Sequence, residues 1–301
     1  MKVCPSSQWL NHPAVVPMRR SIAAKLREHS GYFRHLGAVV FLCGGLGSER
    51  RDYLAAYLRS KSSANVFFAE DVWRLVSEHA PSGNALAMES RLASLADVVA
   101  LIVESPGTFC ELGAFALSDD LRPKLLLILD KSFENDESFI ATGPVRWVDG
   151  DSAFAPAMWV DMGKILLHAD EVVERLERVK SKGARGQIEV LGDPMIELVF
   201  LVDLATIFGP CTLDEIETLA TDVFGRPAAK VEYALLLGLA VALELLRESN
   251  GLYLRPLQNG DIRPFHRPSK SLDVLEMRAA VMGVRQKVPG LEIIPQAVAV
   301  S

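Results

Sequence analysis

A chain of 301 residues, half of them hydrophobic and 23% charged, is long enough for two domains with real cores and too apolar to be disordered. A formal net charge of −6 excludes a polybasic protein that coats nucleic acid. The four cysteines, Cys4, Cys43, Cys110 and Cys211, lack the paired spacing of a zinc site or a disulfide framework, so no metal site and a reducing, cytoplasmic setting are expected.

Along the first twenty residues, Pro5, Gln8, Asn11, His12 and Pro13 interrupt any apolar core of the signal-peptide type. AVVFLCGG (38–45) is then a continuous β-rich run, ERRDYLAAYLRSK has helical spacing, and NVFFAED (65–71) is strand-like. NALAMESRLASLA predicts a helix, DVVALIVES a strand, TFCELGAFALSDDL a helix and PKLLLILD a fourth strand. Continuously apolar strands joined by helices imply a parallel sheet buried on both faces, hence a doubly wound α/β domain of flavodoxin-like or Rossmann-like kind. Ligands bind beyond the C-terminal ends of such strands. A polar cluster follows each one: GGLGSER, AED, ESPGT and DKSFENDESF.

Past Trp147 the pattern weakens, and the helical segment ADEVVERLERVKSK leads to a linker, GARGQ (183–187), which places the α/β domain at 1–184 and a second domain at 185–301. In the second domain DPMIELVFLVDLATIFG is helical, CTLDEIETLATDVFG opens on a Thr212/Glu215 capping box, and a third helix starts near Pro227. SNG (249–251) then forms a hairpin turn, and three helices followed by a hairpin suggest a winged helix. The apolar stretch YALLLGLAVAL (233–243) is shorter than the roughly 18 to 20 residues that cross a bilayer. Residues 224–287 hold ten Lys/Arg against six acids, a footprint for nucleic acid or an ordinary solvated surface. Residues 263–301, with four prolines, read as an assembly arm or as a loosely held tail.

Candidate site residues lie at the strand ends. In GGLGSER, Gly44 and Gly45 with Arg50 could bind phosphate, or the loop could be only a tight turn capped by Ser48, since Arg50 stands where the dinucleotide fingerprint needs a glycine. Asp71 suits a ribose or base contact or a helix cap, and Asn84 a ribose hydroxyl or an N-cap. Thr108 and Glu111 fit a T-x-x-E capping box. Alternatively the Glu104–Gly107 turn aims Glu111 into the ligand crevice from the first turn of a helix, whose dipole would keep the carboxylate ionised and able to attack C1′ of an N-glycoside.

The segment SPGTFCELGAFA resembles the G-T-x-x-E-L-G segment of nucleoside 2-deoxyribosyltransferases, whose nucleophilic Glu aligns with Glu111. The wider set VFLCGG, RRDYL, VFFAEDVW, NALAMESRLASLADVV, ESPGTFCELGAF and SFIATGPVRWVD resembles the effector proteins of bacterial retron anti-phage systems, in which a deoxyribosyltransferase-like domain precedes a winged helix. The resemblance implies an N-glycosidase toxin with NAD as substrate and no separate cofactor. It also implies a complex with a retron reverse transcriptase and its RNA-linked single-stranded DNA, within an oligomer or larger assembly. It carries Glu111 over as nucleophile or oxocarbenium stabiliser and Asp71 and Asn84 as ligand contacts, while Gly44, Gly45, Arg50, Ser105, Gly107 and Thr108 are expected to line the phosphate and ribose site. Where the transferases have an acid just before G-T, this chain has Ser105-Pro106, which favours hydrolysis over base transfer. Deoxyribosyl transfer, and a nucleotide-sensing DNA-binding regulator without chemistry, are the alternatives.

Overall fold

The computed structural model describes residues 6–28, 36–77, 84–179, 193–225, 230–256, 264–265 and 273–287. In chain order these form α1 (Val16–Glu28), β1 (Val39–Cys43), α2 (Glu49–Lys61), β2 (Asn65–Phe67), α3 (Ala69–Val76), α4 (Ala85–Leu95), β3 (Val98–Ile102), α5 (Pro106–Leu117), β4 (Leu125–Asp130), α6 (Arg146–Asp151), β5 (Met158–Val160) and α7 (Ala169–Leu176). There follow α8 (Pro194–Phe208), α9 (Leu213–Phe224), α10 (Lys230–Ala242), β6 (Arg247–Ser249), β7 (Leu252–Leu254) and α11 (Val274–Lys287). The expected linker at 183–187, the expected helix start at Pro227 and most of the expected arm at 263–301 lie outside the described residues.

The chain divides into two compact units, residues 36–182, and residues 1–35 together with 183–301. The sequence placed 1–35 with the α/β domain; instead α1 packs on α9. Arg27 Nε donates to Val223 O at 3.0 Å and Arg19 pairs with Asp222 at 2.7 Å, so α1 supplies cations to the carbonyl end of α9, where the helix dipole favours them.

In the unit of residues 36–182, five parallel strands stand in the order β2-β1-β3-β4-β5. β1, β3 and the first five residues of β4 are buried throughout, which explains their unbroken apolar runs. Val40, Leu42, Ala100, Ile102, Leu126 and Ile128 form one cluster with Leu54 and Leu58 of α2 and Val172 and Leu176 of α7. Each fully buried Leu or Ile contributes about 1.5–3 kcal/mol. Two local readings differ from expectation. The strand read through Asp71 ends at Phe67, because Ala69–Val76 coils into α3, and the weak stretch after Trp147 yields β5, paired through Ile128 and Met158.

In the other unit, α8 is buried along most of its length, and α9 is capped by reciprocal Thr212/Glu215 hydrogen bonds. The β6–β7 hairpin turns on Asn250 (φ 54°) and Gly251 (φ 76°), whose positive φ values match the right-handed strand twist. α11 packs on α8, and Arg278 and Arg285 donate to Thr206 O and Phe208 O at its carbonyl end. None of the described helices is long and apolar enough to cross a membrane.

Candidate active site

The strand order reverses direction between β1 and β3, so a crevice opens beyond their C-terminal ends, the place where ligands bind in open α/β sheets. Its walls are the β1–α2 loop (44–48) and the β3–α5 loop (103–105). In the first wall Gly47 has φ +70°, a left-handed conformation that glycine adopts without strain. Ser48 caps α2, its side chain accepting from Arg51 N–H at 3.3 Å. A Cβ on Gly44 would lie 3.0–3.2 Å from the Arg51 stem, so this glycine makes room for Arg51. Gly45 N–H donates to Glu104 Oε1 at 3.1 Å, and Arg50 bonds Glu104 Oε2 at 2.9 Å and Met162 O at 2.9 Å.

The second wall decides the ambiguity at Glu111. Ser105, not Thr108, is the N-cap of α5, with Pro106 in the first turn where its missing N–H costs nothing. The Ser105 hydroxyl accepts from Thr108 N–H at 3.4 Å, and Thr108 Oγ1 accepts from Ser105 N–H and Glu104 N–H, each at 2.9 Å. This box closes without Glu111 and overturns the Thr108/Glu111 pairing. Gly107 lies exposed in the same turn, and a Cβ there would meet only Ser105 Oγ, at 3.8 Å.

Glu111 sits in the second turn of α5, beyond the reach of the dipole expected to keep it ionised. Its Oε2 is buried and has no hydrogen-bond partner. Burial first, then the negative charge of Glu89, push its pKa up from the ordinary 4.5 to about 7; a hydrogen bond from the Cys43 thiol and the charge of Arg51 oppose the rise, and Glu70 adds to it. Cys43, at the end of β1, is fully buried and held as a thiol by that burial and by Glu111. Arg51, 6% exposed, bonds Glu70 at 2.5 Å and lies 4.3 Å from the Phe68 ring centroid. Glu89 on α4 is also raised, by burial and then by Glu70.

The predicted residues therefore fall into two groups. Gly45, Arg50, Ser105 and Thr108 gather around Glu104 at the loops, whereas Glu111 keeps company with Cys43, Arg51, Glu70 and Glu89. Arg51, not Arg50, is the cation beside Glu111. Asp71, in the first turn of α3, is raised by burial and by Glu70 and accepts a hydrogen bond from Phe68 N–H, so it serves as a cap for its own helix. Asn84 is exposed and caps α4, its Oδ1 accepting from Ala87 N–H at 3.2 Å.

Sequence reasoning missed Glu89 and Cys43. The signal for Glu89 was its place three residues before Leu92 and six before Leu95, a charge on the stripe that packs against the core. Among the described residues no group of three or more His, Cys, Asp or Glu side chains could hold a metal ion.

A protein-family model described as "STM3845 retron effector protein" matches residues 47–248. The "Retron Ec73 putative ribosyltransferase/DNA-binding protein" of Escherichia coli is 30% identical over 239 residues, covering 71% of this chain and 76% of the relative. The "Retron Ec86 putative ribosyltransferase/DNA-binding protein" of the same species is 36% identical over 121 residues, covering 38% of this chain and 39% of the relative. The matched span takes in the end of the first wall, the whole of the second, Glu89 and Glu111, and by its extent the chain belongs to the STM3845 family of retron effector proteins.

Proposed function

We propose that this retron effector cleaves the N-glycosidic bond of NAD or a related nucleotide, with Glu111 as the nucleophile. The observation that carries the reading is a buried carboxylate oxygen without a partner, placed at the switch point of the sheet. Burying such an oxygen unpaired is costly, so a group that makes up the interaction only when substrate is bound accounts for its survival. The ribosyltransferase named in both relatives points to the same class of bond.

In this reading the ionised Glu111 attacks C1′, the C1′–N bond breaks, and its electron pair passes to the pyridinium nitrogen, so nicotinamide leaves neutral and no general acid is needed. Water then attacks C1′ of the glycosyl ester, gives its proton to Glu89 and returns the ester electron pair to Glu111, releasing ADP-ribose. A pKa near 7 leaves Glu111 partly protonated in the empty site, and the cationic ring lowers it on binding. Arg51 and the Cys43 thiol, the two groups that stabilise the anion, keep the nucleophile's charge within reach at neutral pH.

The consecutive helices α8, α9 and α10 and the β6–β7 hairpin support a winged-helix reading, and the DNA-binding named in the relatives supports nucleic-acid contact there, with the retron reverse transcriptase and its RNA-linked DNA as partners. The test is to incubate the purified protein, and separately its Glu111→Gln variant, with NAD and with deoxynucleosides plus a free base, and to weigh the products. Nicotinamide and ADP-ribose from the wild type alone support the reading; a variant that cleaves NAD normally defeats it, and glycosylation of the free base would make the protein a transferase.

A further inference from the structure

The GGLGS loop and Arg50 carry donors that a phosphoryl group would use, and in the structure several of them are engaged by one carboxylate of the chain itself. Glu104 Oε1 accepts from Gly45 N–H at 3.1 Å, Oε2 meets Arg50 Nη1 at 2.9 Å, and the Ser48 hydroxyl hydrogen-bonds the same carboxylate. The Glu104 side chain is 7% exposed while that of Arg50 is 47% exposed, so the carboxylate forms the floor of the loop and the guanidinium its outer edge. Arg50 is held from elsewhere as well, by Nε donating to Met162 O at 2.9 Å, so its position does not depend on the ion pair. Burial raises the Glu104 pKa, but the hydrogen bonds of Ser48, Arg50 and Gly45 outweigh it and the net shift is downward, leaving the group ionised at neutral pH.

We infer that Glu104 is a specificity-determining residue, a built-in anion that fills the phosphoryl position of the β1–α2 loop and directs the phosphorylated arm of a substrate away from it. The loop's donors are matched to a compact two-oxygen anion, and Glu104 supplies one at fixed position. An incoming phosphoryl group finds Gly45 N–H and Arg50 Nη1 already engaged there and meets a like charge. A Cβ added at Gly45 would sit 3.5 Å from Glu104 Oε1, an ordinary contact, so the backbone N–H there holds the carboxylate without depending on the missing side chain. The pentose stays at Glu111, among a different set of side chains. The inference rests on the glycoside reading only for the substrate whose arm is steered; the occupied loop does not.

The test is chemical rescue of Glu104→Ala by inorganic phosphate, read as thermal stability against sodium chloride of equal ionic strength, with pyrophosphate binding followed by calorimetry. An anion that binds only the folded state stabilises it by mass action. The wild type is expected to respond alike to both salts. Glu104→Ala is expected to melt higher in phosphate and to bind pyrophosphate at least about tenfold more tightly than the wild type, and adding Arg50→Gln is expected to abolish both gains. A Glu104→Ala protein that phosphate stabilises no more than chloride does, whether it folds well or poorly without it, overturns the inference. So does a wild type that binds pyrophosphate as tightly as the variant. Neither readout requires turnover, so loss of the NAD-cleaving reading would leave this result standing, and the reverse.

Discussion

Replacing Glu111 by Gln should make the protein more stable, and only where the carboxylate would be charged. In the unfolded chain Glu111 titrates near its ordinary 4.5, and in the fold near 7, with burial as the main cause and Glu89 next. Below about pH 4 both states are protonated and the residue contributes no penalty. As the pH climbs from 4.5 to 7 the unfolded state ionises first, so folding loses stability, and above 7 the whole penalty is present. The interval is worth about 3 kcal/mol for a fully buried group; Glu111 is partly exposed, and screening reduces this to about 1–2 kcal/mol. Gln removes the charge and with it the repulsion from Glu89 and Glu70. Urea denaturation of both proteins at about pH 4 and about pH 8.5 checks this. The variant should gain about 1–2 kcal/mol at the higher pH and nothing at the lower. An equal gain at both values, or a loss at the higher, would refute the account of a desolvated, unpaired carboxylate.

The same cluster makes Glu89→Gln informative: removing the neighbouring charge should lower the apparent pKa of NAD cleavage governed by Glu111 and, with the base lost, slow turnover by about 10²–10⁴-fold. Cys43→Ala removes a hydrogen bond that favours the Glu111 anion, so the ascending limb of the pH–rate profile should move to higher pH, with Cys43→Ser restoring most of it. Gly44→Ala should cost about 1–3 kcal/mol in thermal or urea unfolding, because the new methyl crowds the Arg51 stem at 3.0–3.2 Å. Ser105→Ala should cost about 1 kcal/mol through loss of the α5 cap, whereas Glu111→Gln leaves that cap whole, a contrast readable by the same denaturation.

What the sequence disclosed was set by local chemistry, and what it hid was set by tertiary contacts. Unbroken runs such as Val39–Cys43 and Leu125–Asp130 announced strands because both of their faces are buried. Asn84, Ser48 and the Thr212/Glu215 box announced helix starts because a cap is a contact between near neighbours in the chain. The T-x-x-E spacing at Thr108 misled for the same reason: Ser105 offers an equivalent hydroxyl three residues earlier, and Pro106 fixes the first turn there. The joining of residues 1–35 to the second unit involves Arg19 and Arg27 reaching Asp222 and Val223, about two hundred residues away, and no periodicity encodes that. Likewise the pairing of Glu111 with Cys43 and Glu89 required three separate elements to converge.

Glu104 and Glu111 stand seven positions apart on the same strand-to-helix connection, yet their surroundings drive them in opposite directions. Burial raises the pKa of Glu104, but three hydrogen bonds from Ser48, Arg50 and Gly45 outweigh it and keep the group ionised. Glu111 has one thiol and the charge of Arg51 against burial and two carboxylates, Glu89 and Glu70, so its charge is resisted and one oxygen is left unbonded. A carboxylate whose bonds are complete can organise a loop but has little to offer a substrate. One whose bonds are incomplete gains most from an electron-poor carbon or a cation placed against it. That difference in satisfaction assigns the structural role to Glu104 and the chemical role to Glu111, and it explains why the stability test at position 111 and the anion-rescue test at position 104 should give opposite answers: removal of charge strengthens the fold at the first and leaves a hole for phosphate at the second.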